Sequence, residues 1–355
     1  MIYNKIGNQS VSQMGIGGGV FNPRKDDNLD LKDAKGVIEF LVSKGVNIID
    51  TGKSYDEVFL SKAIENVKEN LLVTSKSESA DGESIELDLN ESIEKLGVDS
   101  LFLYQVHMVD SKEDLRRRKR NGVFRVLKNF KSEGKISNIG VFSHRCEVLR
   151  EAMEMEEVDV VSTIYNAAHR RAEEIIFPHL KPHSVDFIAV APYSNGILID
   201  PKLGSKRNIS ELNPETLLKF LFSSKKVSTT IVGSRKISEA KENVDVALKK
   251  WDLDRSDKEG ITKIIEDILG RKFCRGCRNC EPCTQFDELI ISEILKLKLF
   301  YEKYGYKDFA KKSYDDLPSG GIYLCKKCGD CVSECPYDLD IPKKLHKSHK
   351  LLARS

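Results

Sequence analysis

Along the first 250 residues, short apolar runs rich in β-branched residues alternate with stretches whose apolar positions repeat at the helical period. Residues 2–12 read as a hairpin turning at Gly7-Asn8. Strand patterns follow at 14–17, 47–50, 71–76, 101–107, 136–143, 160–166, 187–193 and 229–234. Helical patterns between them cover 31–43, 61–67, 84–96, 123–132, 147–153, 214–222 and 238–248. Eight strands alternating with helices over about 250 residues predict an α/β fold, a (β/α)8 TIM barrel, in both count and length. A doubly wound open sheet is the competing arrangement.

After Trp251 the pattern changes. A helical segment at 258–269 leads into a cysteine-rich stretch, and no strand pattern appears beyond it. An amphipathic run at 286–301 carries Leu289, Ile290, Ile294, Leu297 and Phe300 on one face. These features predict a small all-α domain at 253–355 behind a barrel at 1–252.

Composition narrows the class. With 40% hydrophobic and 32% charged residues, the chain reads as an ordinary soluble globular protein with a sizeable core. A net charge of +2 gives no case for nucleic acid or a membrane as partner. No run approaches the roughly 18 apolar residues of a membrane span. The opening Met1-Ile2-Tyr3-Asn4-Lys5 lacks the apolar core of a signal peptide, so a cytoplasmic location is expected.

Of nine cysteines, Cys146 stands alone and eight lie between Cys274 and Cys335. Without an export signal, such clustering points to metal ligation rather than disulfides. Cys325-x2-Cys328-x2-Cys331-x3-Cys335-Pro336 matches the bacterial ferredoxin run, in which three cysteines wrap one cubane and the fourth reaches a second. Cys274-x2-Cys277-x2-Cys280-x2-Cys283 is the same device with its last spacing shortened by one. Two [4Fe–4S] clusters are therefore expected. Crossed ligation would join Cys274, Cys277, Cys280 and Cys335 at one, and Cys325, Cys328, Cys331 and Cys283 at the other. Zinc is the alternative, but its sites use paired C-x2-C knuckles rather than triplets. Cys146 reads as a small buried hydrophobe.

In a barrel of this kind, catalytic groups project from the carboxyl ends of the strands. Asp50 ends the second barrel strand, Tyr55 follows in the next loop, Lys76 ends the third strand and His107 the fourth. The segments Asn47-Ile48-Ile49-Asp50-Thr51-Gly52-Lys53-Ser54-Tyr55, Val73-Thr74-Ser75-Lys76 and Leu103-Tyr104-Gln105-Val106-His107 resemble three motifs of the aldo-keto reductases. Gly134 to Val141 and Ile231-Val232-Gly233-Ser234, with Glu242-Asn243, extend the resemblance. A branch of that family carries a C-terminal ferredoxin-like extension, so the resemblance spans the whole chain. It implies Tyr55 as proton donor, Lys76 and Asp50 tuning its pKa downward, and His107 orienting a carbonyl.

The cofactor positions match less well. The family's carboxamide-binding Ser-Asn is here Phe142-Ser143-His144, and the glutamine of strand six falls at Ser162. The nicotinamide-stacking aromatic falls at Val190, and the arginine that grips the adenosine 2′-phosphate falls at Glu239. Ser143, His144, Asn166, Gly233, Ser234, Arg235, Glu242 and Asn243 remain as candidate contacts for NADP or NAD. The run Arg116-Arg117-Arg118-Lys119-Arg120 is expected in the loop after the fourth strand, either as a solvated loop or as a dock for an acidic electron carrier or a phosphorylated substrate.

The leading expectation is an iron–sulfur oxidoreductase that reduces a carbonyl, or oxidises an alcohol, with NAD(P)H. A hydride carries two electrons whereas each cluster passes one, and no flavin motif bridges them. One rival is a nicotinamide-independent reductase fed by a ferredoxin-type carrier through the clusters. Another is an electron-transfer or redox-sensing protein.

Overall fold

The computed structural model describes residues 1–353 apart from 24–28, 110, 200–211, 282, 284–285, 287–288 and 318–323. Strands β1 (Tyr3–Ile6) and β2 (Gln9–Ser12) form the hairpin. Eight parallel strands follow: β3 (Met14–Gly17), β4 (Ile48–Asp50), β5 (Leu72–Ser77), β6 (Leu101–Val106), β7 (Ile136–Phe142), β8 (Val160–Ile164), β9 (Asp186–Val190) and β10 (Thr229–Val232). They close in sequence order, with β10 pairing both β9 and β3. This is the TIM barrel. The open-sheet alternative is excluded by that last pairing.

Apolar side chains fix the register. Ile48, Leu103, Val160, Ile188 and Ile231 meet Ile6 and Val11 of the hairpin in one buried cluster. The hairpin is tied to the amino-terminal ends of the strands, where Gly7 N donates to Asp186 Oδ2 at 2.8 Å and Asn4 Nδ2 to the Ser228 carbonyl at 2.9 Å. That closes one mouth of the barrel and leaves the carboxyl ends of the strands for chemistry.

Helix starts follow side-chain caps more than apolar period. The helix expected at 61–67 runs over Glu57–Ile64, because Asp56 accepts from Phe59 N at 3.0 Å. The one expected from 84 begins at Gly82, capped by Asp81, and stops at Gly97 in the left-handed region. The basic run is not a loop. It forms the end of helix Lys112–Arg120, which Ser111 caps by accepting from Asp114 N at 3.0 Å.

The chain divides into two compact units, one of residues 1–192 and 217–253, the other of 193–216 and 254–355. The sequence pattern had not drawn 193–216 into the second unit. There the Tyr304 hydroxyl, fully buried, donates to the Ile197 carbonyl. In the second unit, helix Arg255–Leu269 starts at an Asp254 cap. The amphipathic run at 286–301 forms helix Ile291–Leu299, which widens into a π-helical turn at Phe300–Tyr304. Helices Lys307–Asp315 and Ile341–Leu352 complete its core, where Ile291, Ile294, Leu297, Leu345 and Leu352 pack together. No described strand lies in 254–353.

Candidate functional site

The catalytic candidates are gathered by the local backbone. Beyond β4 the chain keeps its parallel pairing with β5, Thr51 N bonding to Thr74 O at 3.1 Å and Lys53 N to Lys76 O at 3.0 Å. A turn closed by Tyr55 N and Gly52 O at 2.8 Å then folds Tyr55 back over the strand end. Two glycines make room. A Cβ on Gly19 would stand 3.0 Å from the Tyr55 ring, and one on Gly52 would stand 2.8 Å from Lys76 Cγ.

Lys76, buried, donates to both Asp50 oxygens at 2.8 and 2.7 Å and to the Thr51 carbonyl at 2.5 Å. The same ammonium stands 4.4 Å from the centre of the Tyr55 ring. Burial works against the lysine's charge, but Asp50 and Tyr55 more than offset it, and its pKa lies above the ordinary value. For Tyr55, the largest influence is Lys76, which pulls the phenol down; burial and the Asp50 carboxylate together push it up by more, so it ends above 10.0. This corrects the expected downward tuning. Tyr55 is held in the protonated form, the form a general acid needs at neutral pH.

His107 follows β6, and its backbone N–H donates to Ser77 O at 2.8 Å. Its Nδ1 lies 3.3 Å from Glu78 Oε1. Burial lowers its pKa below 6.5, only partly countered by Glu78, so the ring is neutral at neutral pH. Phe142 packs on the ring at 4.7 Å between centroids, and His144 meets Phe142 edge-on at 5.0 Å. A cavity of about 390 Å³ opens here, lined by Lys53, Lys76, Glu78, Ser79, Asp88 and His107 among others.

Three residues of this site have roles that the sequence reading missed. Glu78 orients His107. Asp88, nearly buried, holds Lys53, Ser77 and Ser79. Arg118, buried, donates to the carbonyls of Glu78, His107 and Met108 at 3.0, 3.1 and 3.3 Å, and so fixes the loops on both sides of the histidine. Its place in a charge run was the only sequence signal. The neighbours in that run are all paired: Arg116 with Glu151, Arg117 with Asp114, Lys119 with Glu157, and Arg120 with Glu113.

The candidate cofactor residues are differently placed. The Ser143 hydroxyl donates to Val109 O at 2.7 Å and accepts from Arg145 N at 3.0 Å. Asn166 spends its amide on Ala191 O, Ala168 N and His169 N, at 2.9, 2.9 and 3.0 Å. Both polar groups serve the backbone. Ser162 donates to buried Gln105 across the barrel interior. After β10, Ser234 accepts from Asn243 Nδ2 at 2.9 Å, while Arg235 and Glu242 are exposed. Glu239, in the first turn of helix Ile237–Ala247, turns back so that Oε2 accepts from Arg235 N at 2.7 Å and Lys236 N at 3.4 Å. A carboxylate thus already sits where a helix N-terminus would take a phosphate.

In the second unit the thiols fall into two groups. Burial raises Cys274 to about 12, and Cys277 and Cys335 add to the shift. Cys280 is raised by burial and by Cys274, Cys277 and Cys335 among its neighbours. Cys331 is raised to about 11, by burial and then by Cys325, Cys328 and Cys283. Crowded thiolates of this kind are stabilised by bound cations, and the soft donor set suits iron–sulfur chemistry. A single zinc would draw four sulfurs to within about 4 Å of one another. A cubane asks for wider spacing, since each cysteine binds a separate iron.

The model of the Aldo/keto reductase family matches residues 13–217, more than half of the chain. The chain belongs to the aldo/keto reductase family. It is an oxidoreductase of that type, and residues 273–340 match the 4Fe-4S dicluster domain, so the C-terminal domain is one that carries two clusters. This aldo/keto reductase is 22% identical over 279 residues to an uncharacterized oxidoreductase of Bacillus subtilis, covering 67% of this chain and 87% of that protein. Its fold matches the holo form of an aldo-keto reductase from Bacillus halodurans with a TM-score of 0.63 at 21% identity, over 74% of this chain and 96% of that one. An aldo/keto reductase from Klebsiella pneumoniae, solved with NADP and acetate, matches with a TM-score of 0.59 at 18% identity, over 74% of this chain and 94% of that one.

Proposed function

We propose that the barrel reduces a small-molecule carbonyl, or oxidises the corresponding alcohol, with Tyr55 as the proton donor. The observation that carries this reading is the buried Lys76 ammonium held between the Asp50 carboxylate and the Tyr55 ring. Nicotinamide, when bound, supplies hydride to the carbonyl carbon. The residues do the rest. His107, its ring held by Glu78, packs beside the substrate, and the Tyr55 hydroxyl donates to the carbonyl oxygen and gives up its proton as charge develops there. Lys76 stabilises the phenolate that remains. Tyr55→Phe should lower turnover by about two orders of magnitude or more, with Lys76→Met close behind. Wild-type turnover in both variants would remove the tetrad from the reaction.

In the same proposal, Cys274, Cys277, Cys280 and Cys335 hold one [4Fe–4S] cluster, and Cys283, Cys325, Cys328 and Cys331 the other. The crossed thiol groups support this pairing.

A second reading has its own observation. Ser143 and Asn166 are engaged with the backbone, and Glu239 fills the anion position at its helix start. The adenosine 2′-phosphate of NADPH would meet that carboxylate rather than a cation, which weakens its hold. These facts favour either NADH over NADPH, or single electrons reaching the barrel substrate from a ferredoxin-type carrier through the clusters.

A further inference from the structure

The two basic runs of this chain differ in one respect. Each of the five cations at 116–120 has a carboxylate partner within its own unit. On helix Ile341–Leu352, Lys343, Lys347 and Lys350 recur at intervals of four and three, hence on one face. All three are exposed, and among the described residues none of them forms an ion pair. With Lys327 and Asp340 they line a cavity of about 580 Å³. Four lysines against one aspartate leave a surplus of positive charge on this face, and among the described residues no carboxylate side chain pairs with those three helix lysines.

That face adjoins the second thiol group. Lys327 is next in sequence to Cys328, the one exposed cysteine of the nine. Val332, beside Cys331, is exposed as well, an apolar contact in an otherwise charged rim. A buried cluster exchanges electrons poorly with a partner, whereas a ligand at the surface lets the partner's redox centre approach. Uncompensated charge around it steers that approach.

We propose that this face docks an acidic ferredoxin-type protein, which delivers single electrons at Cys328. The inference rests on the reading that Cys283, Cys325, Cys328 and Cys331 hold a cluster, and it gives that cluster its partner. In each encounter the reduced carrier loses one electron and is oxidised, and the cluster at Cys328 gains it. No bond forms or breaks and no proton moves.

The test uses full-length, iron-loaded protein under anaerobic conditions and an acidic ferredoxin as probe. Binding is measured by calorimetry, and electron transfer by stopped-flow absorbance, at low and at high salt. Wild-type binding should weaken steeply with salt. The combined Lys343→Glu, Lys347→Glu and Lys350→Glu variant should bind at least about tenfold more weakly and transfer electrons correspondingly more slowly at low salt. Its iron content should be unchanged, and Arg117→Glu should bind as wild type does. If the triple reversal sheds iron, Lys347→Gln with Lys350→Gln carries the test, with a threshold of about threefold. Full iron with no binding, or binding indifferent to these lysines, overturns the docking face and leaves the cluster reading standing. So does an RNA oligonucleotide that binds the face as tightly as the ferredoxin. Wild-type protein that takes up no iron–sulfur cluster overturns the cluster reading itself.

Discussion

At the scale of single residues, the site runs on two opposed pKa shifts. Lys76 alone would lower Tyr55, yet burial and Asp50 leave the phenol above its ordinary value. Burial, helped by the Lys76 charge, lowers His107 against the pull of Glu78. In the proposed reduction Tyr55 must be protonated, so activity is lost only as pH rises through its raised pKa. A neutral His107 is lost only as pH falls through its lowered pKa. The profile of kcat/KM, which reports the free enzyme, should therefore be flat between about pH 6.5 and 10, with its limbs outside that window. An alkaline limb near pH 8 would contradict the balance at Tyr55. The sequence located these residues through strand-end position and motif, but the sign of the tyrosine shift was not legible. It depends on how deeply the ring is buried, which no spacing encodes. Glu78 and Arg118 escaped for a related reason: one acts through a ring nitrogen, the other through backbone carbonyls.

At the scale of elements, apolar period placed every barrel strand to within a few residues, while caps moved the helix starts. Asp56, Asp81, Ser111 and Asp254 each satisfy a backbone N–H of the first turn, and that local bond outweighs hydrophobic phase at a terminus. Ser111 also explains why a run of five cations is helical. Glu239 is the cap with a consequence for cofactor choice. Replacing it in Glu239→Arg removes the bonds to Arg235 N and Lys236 N and should cost about 1 kcal/mol in a denaturant melt. It also vacates the anion position and adds a cation, so NADPH should gain about tenfold or more relative to NADH in equilibrium binding. An unchanged ratio would show that the cofactor's phosphate lies elsewhere.

For the whole molecule, the barrel and the cysteine-rich unit were legible separately, since one is written in period and the other in ligand spacing. The place of 193–216 in the second unit was not, because it depends on contacts between segments far apart in the chain, among them the bond from Tyr304 to Ile197. Eight clustered cysteines should bring about eight iron and eight sulfide per chain after anaerobic preparation. Cys146→Ser should leave that count intact, since Cys146 is buried at the start of a barrel helix. Four iron at saturation would mean one of the thiol groups binds nothing.

The central claim, that the barrel is a working nicotinamide-dependent site despite its altered contacts, is met most directly by anaerobic titration of the iron-loaded protein with NADH and with NADPH. Nicotinamide fluorescence and cluster absorbance would be followed together. The account predicts that both bind, with NADPH no more than about tenfold tighter than NADH, because position 239 holds a carboxylate where a phosphate-gripping cation is expected. Binding of neither nucleotide, with turnover sustained by reduced ferredoxin alone, would contradict it.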